Sequence, residues 1–437
     1  MNSRTNRRAF LQTTALAGAG YWVAGRALGQ EKSTSPNEQI NFACIGVGGK
    51  GQSDSEDAAK FGNVVAICDI DDTNLEKRAA GDKFKKAKKF NDFRKMLDEL
   101  DKSIDAVTVS TPDHTHATAS VAAMNLGKHC FCQKPLTHAI YEARRLGEIA
   151  REKKLVTQMG NQGTSNNGVR QAAAMIKAGI LGNVKDVYVW TNRPIWAQGG
   201  PAPKPGTAPK NVHWDLWLGP AAERPYLPGC HPFAWRGFWD FGTGALGDMA
   251  CHTMNMPFMA LDLRNPTSVV ATTSGHNKVT YPAKAKIQFE FAPTSDRGPI
   301  TLHWTDGGNR PPLDLFEGEK DIVDSGCLLI GDKGKLYSPD DYGAEFKLLA
   351  GAQAKEVEFT KSPGHFEEFA VGIKGGPAPA SNFADYAGPL TETILLGNLA
   401  VWATGQKIEW DAEKMVANVP GLEAIVRPEY RSGWPTV

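Results

Sequence analysis

Short apolar runs alternate with helical patterns along the part of the chain that begins at residue 40. The runs are four to six residues long, and the stretches between them carry apolar residues at helical spacing. This alternation predicts parallel βαβ units. The predicted strands are residues 40–45, 64–68, 106–109, 129–132 and 155–159, and the predicted helices are residues 54–61, 92–100, 115–126 and 141–153.

Beyond Gly160 the pattern changes to longer β-rich segments separated by loops rich in glycine and proline. It predicts a mainly antiparallel, open sheet with helices on one face. The loop over 199–210 is interpreted as a lid or rim loop. An open sheet needs a cover, so we expect a homodimer or homotetramer. The predicted strands are residues 184–192, 268–274, 285–291, 300–304 and 327–330, and the late helices are 365–373 and 390–404.

A length of 437 residues predicts two domains. We place an α/β domain at 36–160 and an α+β substrate-binding and oligomerisation domain at 161–437. The net charge is +1, which gives no reason to expect a nucleic-acid partner. Five lysines in the seven residues 83–89 are interpreted as a solvated surface. No run of 18 apolar residues occurs, so we do not expect an integral membrane protein.

Residues 1–29 have the organisation of an export signal. Arg4, Arg7 and Arg8 form a positive start with no acidic residue before Glu31, and an Ala/Gly-rich, mildly apolar stretch follows. Arg-Arg-Ala-Phe-Leu at 7–11 resembles a twin-arginine signal, which predicts passage through the twin-arginine translocation machinery and a periplasmic location. A disordered tail with a chance arginine pair is the alternative.

The seven cysteines are odd in number and widely scattered, which does not fit a disulfide framework. Cys130 and Cys132 stand two apart in an apolar run, as on one face of a strand, so we predict buried thiols. His114 and His116 form an H-x-H pair without a third nearby ligand, so no metal site is expected.

The first predicted strand leads directly into Gly-Val-Gly-Gly-Lys-Gly at 46–51, a match to G-x-G-x-x-G. The loop opens a predicted helix, and Asp69 ends the second strand 18 residues after Gly51. Gly46 permits the tight turn, Gly48 lets the backbone approach a pyrophosphate, and Gly51 lets helix and strand pack closely. The helix N-terminus favours phosphate, and Asp69 can accept from a ribose hydroxyl while repelling a 2′-phosphate. The pattern predicts a Rossmann domain that binds NAD(H).

Further motifs resemble the glucose–fructose oxidoreductase/inositol dehydrogenase (Gfo/Idh/MocA) family. They are Thr-Pro-Asp-His-Thr-His at 111–116, Gly-Lys-His-Cys-Phe-Cys-Gln-Lys-Pro-Leu at 127–136, and the glycine-rich loop with a D-x-x-x-H helix at 242–252. The segments at 214–220 and 231–236 resemble an exported bacterial branch, so the likeness covers residues 38–437. It implies an NAD-dependent oxidoreductase of a sugar or polyol.

The resemblance implies that Lys134, Asp248 and His252 meet at the nicotinamide and are catalytic. Oxidising an alcohol needs a base for the hydroxyl proton, and Lys134 follows a parallel strand at the edge where such sheets bind ligands. Asp248 and His252 stand four apart and share a helix face. Taken alone, a lysine at a strand end is more often a surface charge and such an Asp–His pair more often a helix-surface contact, and the resemblance is what favours catalysis. Gln133 departs from the glutamate usual before Lys-Pro, which removes a charge beside Lys134.

The remaining site predictions comprise a cofactor set and a substrate set. In the cofactor set, His114 and His116 are predicted to form a wall of the nicotinamide site. Tryptophans beside Arg, His and Asn suit a carbohydrate, although core packing is the alternative for most of them. The cofactor set is Gly46, Gly48, Gly49, Gly51, Asp69, Ile70, Ser110, Thr111, Pro112, His114, His116, Gln133 and Lys134. The substrate set is Lys134, Asn161, Arg193, Trp196, His213, Trp235, Arg236, Trp239, Asp248 and His252.

Three functions remain open from the sequence. The first is an NAD-dependent dehydrogenase acting on a hydroxyl of a sugar, polyol or glycoside. The second is a redox-neutral glycoside hydrolase in which bound NAD oxidises a ring hydroxyl, the aglycone is eliminated, water adds and hydride returns. Lys134 favours the first and the export signal the second. The third, a catalytically inactive carbohydrate-binding protein, is disfavoured because Lys134, Asp248 and His252 are all present.

Overall fold

The computed structural model describes residues 39–437, and the chain from Asn41 onward forms one compact unit. The export signal predicted over 1–29 lies outside the described residues. The strands are β1 Ile40–Ile45, β2 Gly62–Cys68, β3 Lys88–Phe90, β4 Ala106–Val109, β5 His129–Cys132, β6 Thr157–Met159, β7 Val184–Trp190, β8 Pro228–Gly229, β9 His231–Pro232, β10 Ser268–Thr273, β11 Ala285–Phe291, β12 Ile300–Thr305, β13 Gly326–Gly331, β14 Lys335–Ser338, β15 Lys347–Leu349, β16 Lys407–Asp411 and β17 Val416–Ala417.

The α-helices are α1 Lys50–Phe61, α2 Asp72–Ala79, α3 Phe93–Leu100, α4 Asp113–Asn125, α5 Ile140–Glu152, α6 Asn167–Lys177, α7 Trp214–Leu218, α8 Gly244–Thr253, α9 Asn255–Leu261, α10 His365–Ile373, α11 Gly388–Trp402 and α12 Glu423–Val426. Short 3₁₀ turns include Gln162–Ser165 and Ala234–Gly237.

The first sheet has six strands in the order β3-β2-β1-β4-β5-β6. The pairs β1–β4, β2–β3, β4–β5 and β5–β6 run parallel, and this order is that of a Rossmann domain. All four residues of β4 are buried, as expected for a strand covered on both faces. The predicted strands are confirmed here to within two residues at either end.

Two elements of this domain escaped prediction. Helix α2 buries only Leu75 and Arg78, so it carries almost no apolar periodicity, and the Asp71 side chain caps it by accepting from the Thr73 N–H. Strand β3 lies within the lysine run at the exposed edge of the sheet. Lys88 and Lys89 pair there with Glu99 and Glu76, and such charges protect an edge strand from further pairing.

The second sheet has nine strands in the order β15-β14-β13-β7-β12-β11-β10-β16-β17. Its pairs are antiparallel except β7–β12, which run parallel, so the sheet is mixed and mainly antiparallel. Strand β11 alternates buried and more exposed side chains, as expected for a sheet with one covered face. The predicted fold class is confirmed.

Helix α11 joins the second sheet to the rest of the core. It packs against β10 and β11 on one side and against α5 and α8 on others. Gly397 makes this closeness possible, because a Cβ there would lie 2.6 Å from Leu246 and 2.7 Å from Phe289. Helix α8, which carries Asp248 and His252, is therefore held by a buried helix rather than by a loop.

All seven cysteines are buried and free, which confirms the predicted thiols. Burial raises the pKa of Cys130 to about 12, so this thiol stays protonated and unreactive. Among residues 39–437, no helix combines the length and the apolar character needed to cross a membrane.

Candidate functional site

A cavity of about 470 Å³ follows the carboxyl ends of the strands of the first sheet, the edge at which such sheets bind ligands. We call it the main cavity. The residue after each of β1, β2, β4 and β5 lines it, namely Gly46, Asp69, Ser110 and Gln133. Strands β2 and β5 are three places apart in the sheet, about 14 Å. Asp69 and Lys134 therefore lie toward opposite ends of the cavity.

The glycine loop at 46–51 leaves space along its backbone that side chains would fill. Gly46 has φ of +78°, and a Cβ there would lie 2.5 Å from the Ser110 carbonyl oxygen. At Gly51 a Cβ would lie 2.0 Å from the Gly46 carbonyl oxygen, so this glycine permits the close packing of α1. Gly46, Gly48 and Gly49 line the cavity and Gly51 does not. Backbone N–H groups at the start of a 12-residue helix fit a pyrophosphate there.

Asp69 lies at the end of β2 and lines the main cavity. Its Oδ2 accepts from the N–H groups of Val47 and Gly48, at 2.9 and 3.1 Å, and its Oδ1 accepts from the Asp71 N–H. Burial raises the pKa of Asp69, although these three N–H groups oppose the shift. The carboxylate thus shapes the glycine loop and has lone pairs left for a ribose hydroxyl.

The neighbouring carboxylates of Asp71 and Asp72 do not add to this site. Neither lines the main cavity. Asp71 Oδ2 lies 3.0 Å from His231 Nε2, and Asp72 Oδ1 lies 3.0 Å from His213 Nε2. Both carboxylates thereby attach the segment after residue 210 to the nucleotide side of the molecule.

A charged cluster forms the far end of the main cavity. Lys134 Nζ donates to Asp248 Oδ1 at 2.7 Å and to the Asp248 carbonyl oxygen at 2.8 Å. Arg236 Nε lies 3.3 Å from the same Oδ1, and Arg236 Nη1 donates to Asp113. Burial disfavours the charged carboxylate, but Lys134 and Arg236 outweigh it and hold the pKa of Asp248 well below its usual range.

His252 lies one turn beyond Asp248 on α8 and lines the same end of the cavity. Burial, with help from the Lys134 charge, lowers its pKa to about 3, so the ring is neutral at pH 7. Its Nδ1 is buried without a hydrogen-bond partner among the described residues, and Tyr342 packs edge-on at 4.8 Å between ring centroids. The part of the His252 ring that lines the cavity is the part that a ligand there can contact.

Asp54 on α1 connects three residues that line the cavity. Its carboxylate accepts from Lys50 Nζ, Ser110 Oγ and Gln133 Nε2, each at 2.8 Å. The sequence prediction missed this residue. Its only local signal is the spacing of four residues from Lys50, because the other two donors come from β4 and β5.

The structure does not place the rings of His114 and His116 in the main cavity, where they were predicted to form a wall of the nicotinamide site. The His114 nitrogens face the carbonyl oxygens of Trp217 and Phe241, and those of His116 face the carbonyl oxygens of Pro135 and Thr111. Both side chains are buried at the start of α4, where they tie that helix to neighbouring loops.

The main cavity contains Lys134, Arg193, Trp235, Arg236, Asp248 and His252 of the predicted substrate set, and Ile70, Thr111 and Pro112 of the predicted cofactor set. The structure places the other four residues of the predicted substrate set outside the main cavity. Asn161 is fully buried and its neighbour Gln162 takes the place in the cavity, while Trp196 donates to Gln198 outside it. His213 pairs with Asp72, and Trp239 stacks on Tyr281 at 3.7 Å in a second, smaller cavity.

Tyr342 and Trp434 also line the main cavity, and the sequence prediction named neither. Both belong to segments distant in the chain from every motif, so no local pattern indicated them. Among the described residues, no cluster of three or more His, Cys, Asp or Glu side chains has the geometry to hold a metal ion.

Comparison with known proteins gives consistent results for both parts of the chain. Residues 40–161 match the Gfo/Idh/MocA model described as oxidoreductase family, NAD-binding Rossmann fold, and residues 165–371 match its C-terminal alpha/beta domain. Inositol 2-dehydrogenase of Salmonella paratyphi B is 32% identical over 121 residues, which are 27% of this chain and 35% of that protein. The chain thus spans about a third of the length of the curated relatives that it matches.

Solved structures are similar over most of the chain. The WlbA dehydrogenase from Bordetella pertussis, in complex with NADH and UDP-GlcNAcA, has a TM-score of 0.62 at 15% identity, with 86% of this chain and 99% of that chain covered. An inositol dehydrogenase homologue from Azotobacter vinelandii, complexed with NADH and myo-inositol, has a TM-score of 0.57 at 17% identity, with 85% and 98% covered. At these identities the likeness shows the fold.

The glycine loop, the strand order and the two matched family models lead to one assignment. The chain belongs to the Gfo/Idh/MocA family of oxidoreductases and carries that family's NAD-binding Rossmann domain and C-terminal alpha/beta domain.

Proposed function

We propose that the protein is an NAD(H)-dependent oxidoreductase that acts on a hydroxyl group of a sugar, polyol or glycoside. One observation carries the proposal. A single cavity holds the glycine loop and Asp69 toward one end, and the Lys134–Asp248 pair with His252 toward the other. A dinucleotide placed with its pyrophosphate at the loop has room to extend toward that cluster.

The residues present fit NAD(H). The glycine loop and the start of α1 receive the pyrophosphate, and Asp69 receives the adenosine ribose. Lys134 and Gln133 line the region beside the nicotinamide. When bound, the cofactor accepts hydride from an alcohol carbon or returns it to a carbonyl carbon.

Proton transfer at the substrate oxygen is assigned to Lys134. Oxidation of an alcohol releases the hydroxyl proton to a base while the carbon loses hydride, and reduction returns the proton to the oxygen. Asp248 fixes the position of Lys134 Nζ through its side-chain and backbone oxygens. His252 is neutral and lines the cavity, so its imidazole can accept from the substrate hydroxyl or donate to its oxygen without adding a charge.

The walls near Lys134 suit a carbohydrate or polyol. Trp235 and Tyr342 offer planar surfaces for C–H groups, while Arg193, Arg236 and Gln162 offer donors for hydroxyl groups. Arg236 is held in place by Asp113 and packs over Trp235 at 4.3 Å from the ring centroid. A preformed donor loses little freedom when it binds a hydroxyl.

The purified protein should be incubated with a panel of free sugars, polyols and chromogenic glycosides, with NAD⁺ in excess. Stoichiometric absorbance from NADH is the expected result. Release of the aglycone without net NADH would replace this proposal with the redox-neutral hydrolase. Neither signal, with sugar binding retained by calorimetry, would replace it with a binding protein.

The proposal also covers export of the protein and its assembly into oligomers. The arginine pair at 7–8 and the small residues at 27–29 support export by the twin-arginine route, which moves folded proteins. A reporter fused to residues 1–35 should be exported and should lose export when Arg7 and Arg8 are both replaced by lysine. Retention in the cytoplasm whatever residues stand at 7–8 would overturn the export assignment.

Light scattering should show a homodimer or homotetramer, and a monomer would overturn the assembly expectation.

A further inference from the structure

The last eight residues of the chain, 430–437, lie against α7 and against helix α4 of the nucleotide domain. Arg431 donates to the Asp215 carbonyl oxygen at 2.7 Å and to the Gly219 carbonyl oxygen at 3.1 Å. The Pro435 carbonyl oxygen accepts from Thr118 Oγ1 at 2.7 Å. We call this segment the C-terminal strap. Its contacts with α7 and α4 hold it on both sides of Trp434.

Trp434 is the residue that the strap brings to the main cavity, where it lies beside Phe93. The two ring centroids are 5.8 Å apart with the planes tilted by 53°. The Arg94 guanidinium lies 3.9 Å from the Trp434 ring centroid, and its Nη1 donates to the Gly433 carbonyl oxygen at 2.9 Å. Asp92 accepts from Arg94 Nε at 2.9 Å and from Nη2 at 2.7 Å. The Arg94 guanidinium, which Asp92 fixes, therefore holds the Trp434 ring in place.

The position of Phe93 identifies which end of the cavity this is. Phe93 follows β3, which lies beyond β2 at the edge of the sheet, on the side away from Lys134. Asn91 Nδ2 donates to the Asp69 carbonyl oxygen at 3.0 Å, so the loop that carries Phe93 lies beside Asp69. Since Asp69 receives the adenosine ribose, the base attached to that ribose lies on the Phe93 side.

We propose that Trp434, together with Phe93, forms the adenine subsite of the cofactor, so that the C-terminal strap completes the dinucleotide site. This rests on the proposed NAD(H) function. An aromatic wall suits a purine, which stacks or packs edge to face and has polar atoms on its rim only. The wall is already held by Arg94 and Asp92, so little ordering accompanies binding, and the strap is expected to slow cofactor release.

The test measures binding of NADH, AMP and nicotinamide mononucleotide by calorimetry, and release of NADH after dilution. Trp434→Ala is expected to raise the Kd for NADH and AMP about tenfold, the loss typical of one aromatic contact, and to speed NADH release in proportion. Binding of nicotinamide mononucleotide should stay unchanged. Trp434→Leu keeps part of the apolar volume and so limits any folding defect, and about fivefold weaker AMP binding is expected. Ser432→Ala, an exposed position on the same strap, is the matched control.

Unchanged AMP affinity in both Trp434 variants would overturn the assignment. An equal loss for AMP and nicotinamide mononucleotide would also overturn it, because the strap would then support the fold as a whole. If the wild-type protein bound neither NADH nor AMP, the proposed cofactor function itself would fail. If the wild-type protein and the Trp434 variants instead bound both ligands equally well, only the assignment of the adenine subsite would fail.

Discussion

Gln133 Nε2 donates to Asp54 Oδ2 at 2.8 Å, and both side chains are buried. The pair joins the residue before Lys134 to the helix that follows the glycine loop. Because Gln133 is neutral, the only charge in this contact is on Asp54, which Lys50 balances at 2.8 Å. The glutamine before Lys-Pro is therefore matched to its surroundings, since a glutamate there would face a second buried carboxylate.

Gln133→Glu should destabilise the fold by about 1–3 kcal/mol, because it removes a donor to a buried acceptor and adds a like charge. The measurement is the free energy of unfolding in urea. Adding Asp54→Asn should recover most of the loss, since the amide and the carboxylate then exchange places. Additive losses in the double variant would show that the two side chains do not interact. Glu99→Gln, at an exposed surface pair, is the control.

Lys134→Met should reduce turnover by at least about 10²-fold while leaving the Kd for NADH within about threefold of wild type. The Asp248 carboxylate keeps Arg236 as a partner, so the variant is expected to fold. Steady-state rates and NADH titration are the measurements, with the exposed Lys95→Met as control. Turnover close to wild type would remove Lys134 from the proposed proton transfer.

The wild-type protein should bind NADH at least about tenfold more tightly than NADPH, because the Asp69 carboxylate repels a 2′-phosphate. Asp69→Ser should bring the two Kd values close together, although both should rise because Val47 and Gly48 lose their acceptor. Asp72→Asn should leave the ratio unchanged, since Asp72 does not line the main cavity. Equal affinity for both cofactors in the wild-type protein would contradict the assigned role of Asp69.

Asp306 should make stability depend on pH. Burial raises its pKa to about 7, although Trp304 Nε1 and the Ala285 N–H donate to it. The folded state thus binds this proton more tightly than the unfolded state, whose aspartate has a pKa of about 3.9. The contribution of Asp306 to the unfolding free energy should fall as pH rises from about 4 to about 7, and change little above that. The difference in unfolding free energy between the wild-type protein and Asp306→Asn should therefore change with pH over this range, and equal slopes in the two proteins would exclude Asp306 as a contributor.

The prediction from sequence succeeded where the signal is local. The strands at 106–109 and 129–132 coincide with β4 and β5, because strands buried on both faces are apolar throughout. The glycine loop was recognised because the spacing of its glycines, directly after a predicted strand, is itself a local pattern. Helix α2 and strand β3 were missed because they are largely exposed and lack apolar periodicity.

The prediction was less accurate where position depends on packing between distant segments. Asn161 and Gln162 are adjacent in the chain, yet one is buried and the other lines the main cavity. Trp235 and Trp239 are separated by one 3₁₀ turn and a short loop, and they face different cavities. Residue type made all of these acceptable as substrate contacts, and the tertiary structure decided among them.

The sequence by itself determined the Rossmann domain and the placement of Asp248 and His252 on one helix face, and it predicts a preference for NAD(H) through Asp69. Those features depend on backbone geometry and on spacing along the chain, which a sequence records directly. Only the tertiary structure placed Asp54 beside Gln133, Arg236 beside Asp248 and Trp434 in the main cavity. These contacts join segments up to hundreds of residues apart, and burial with hydrogen bonding selects them only once the chain has folded.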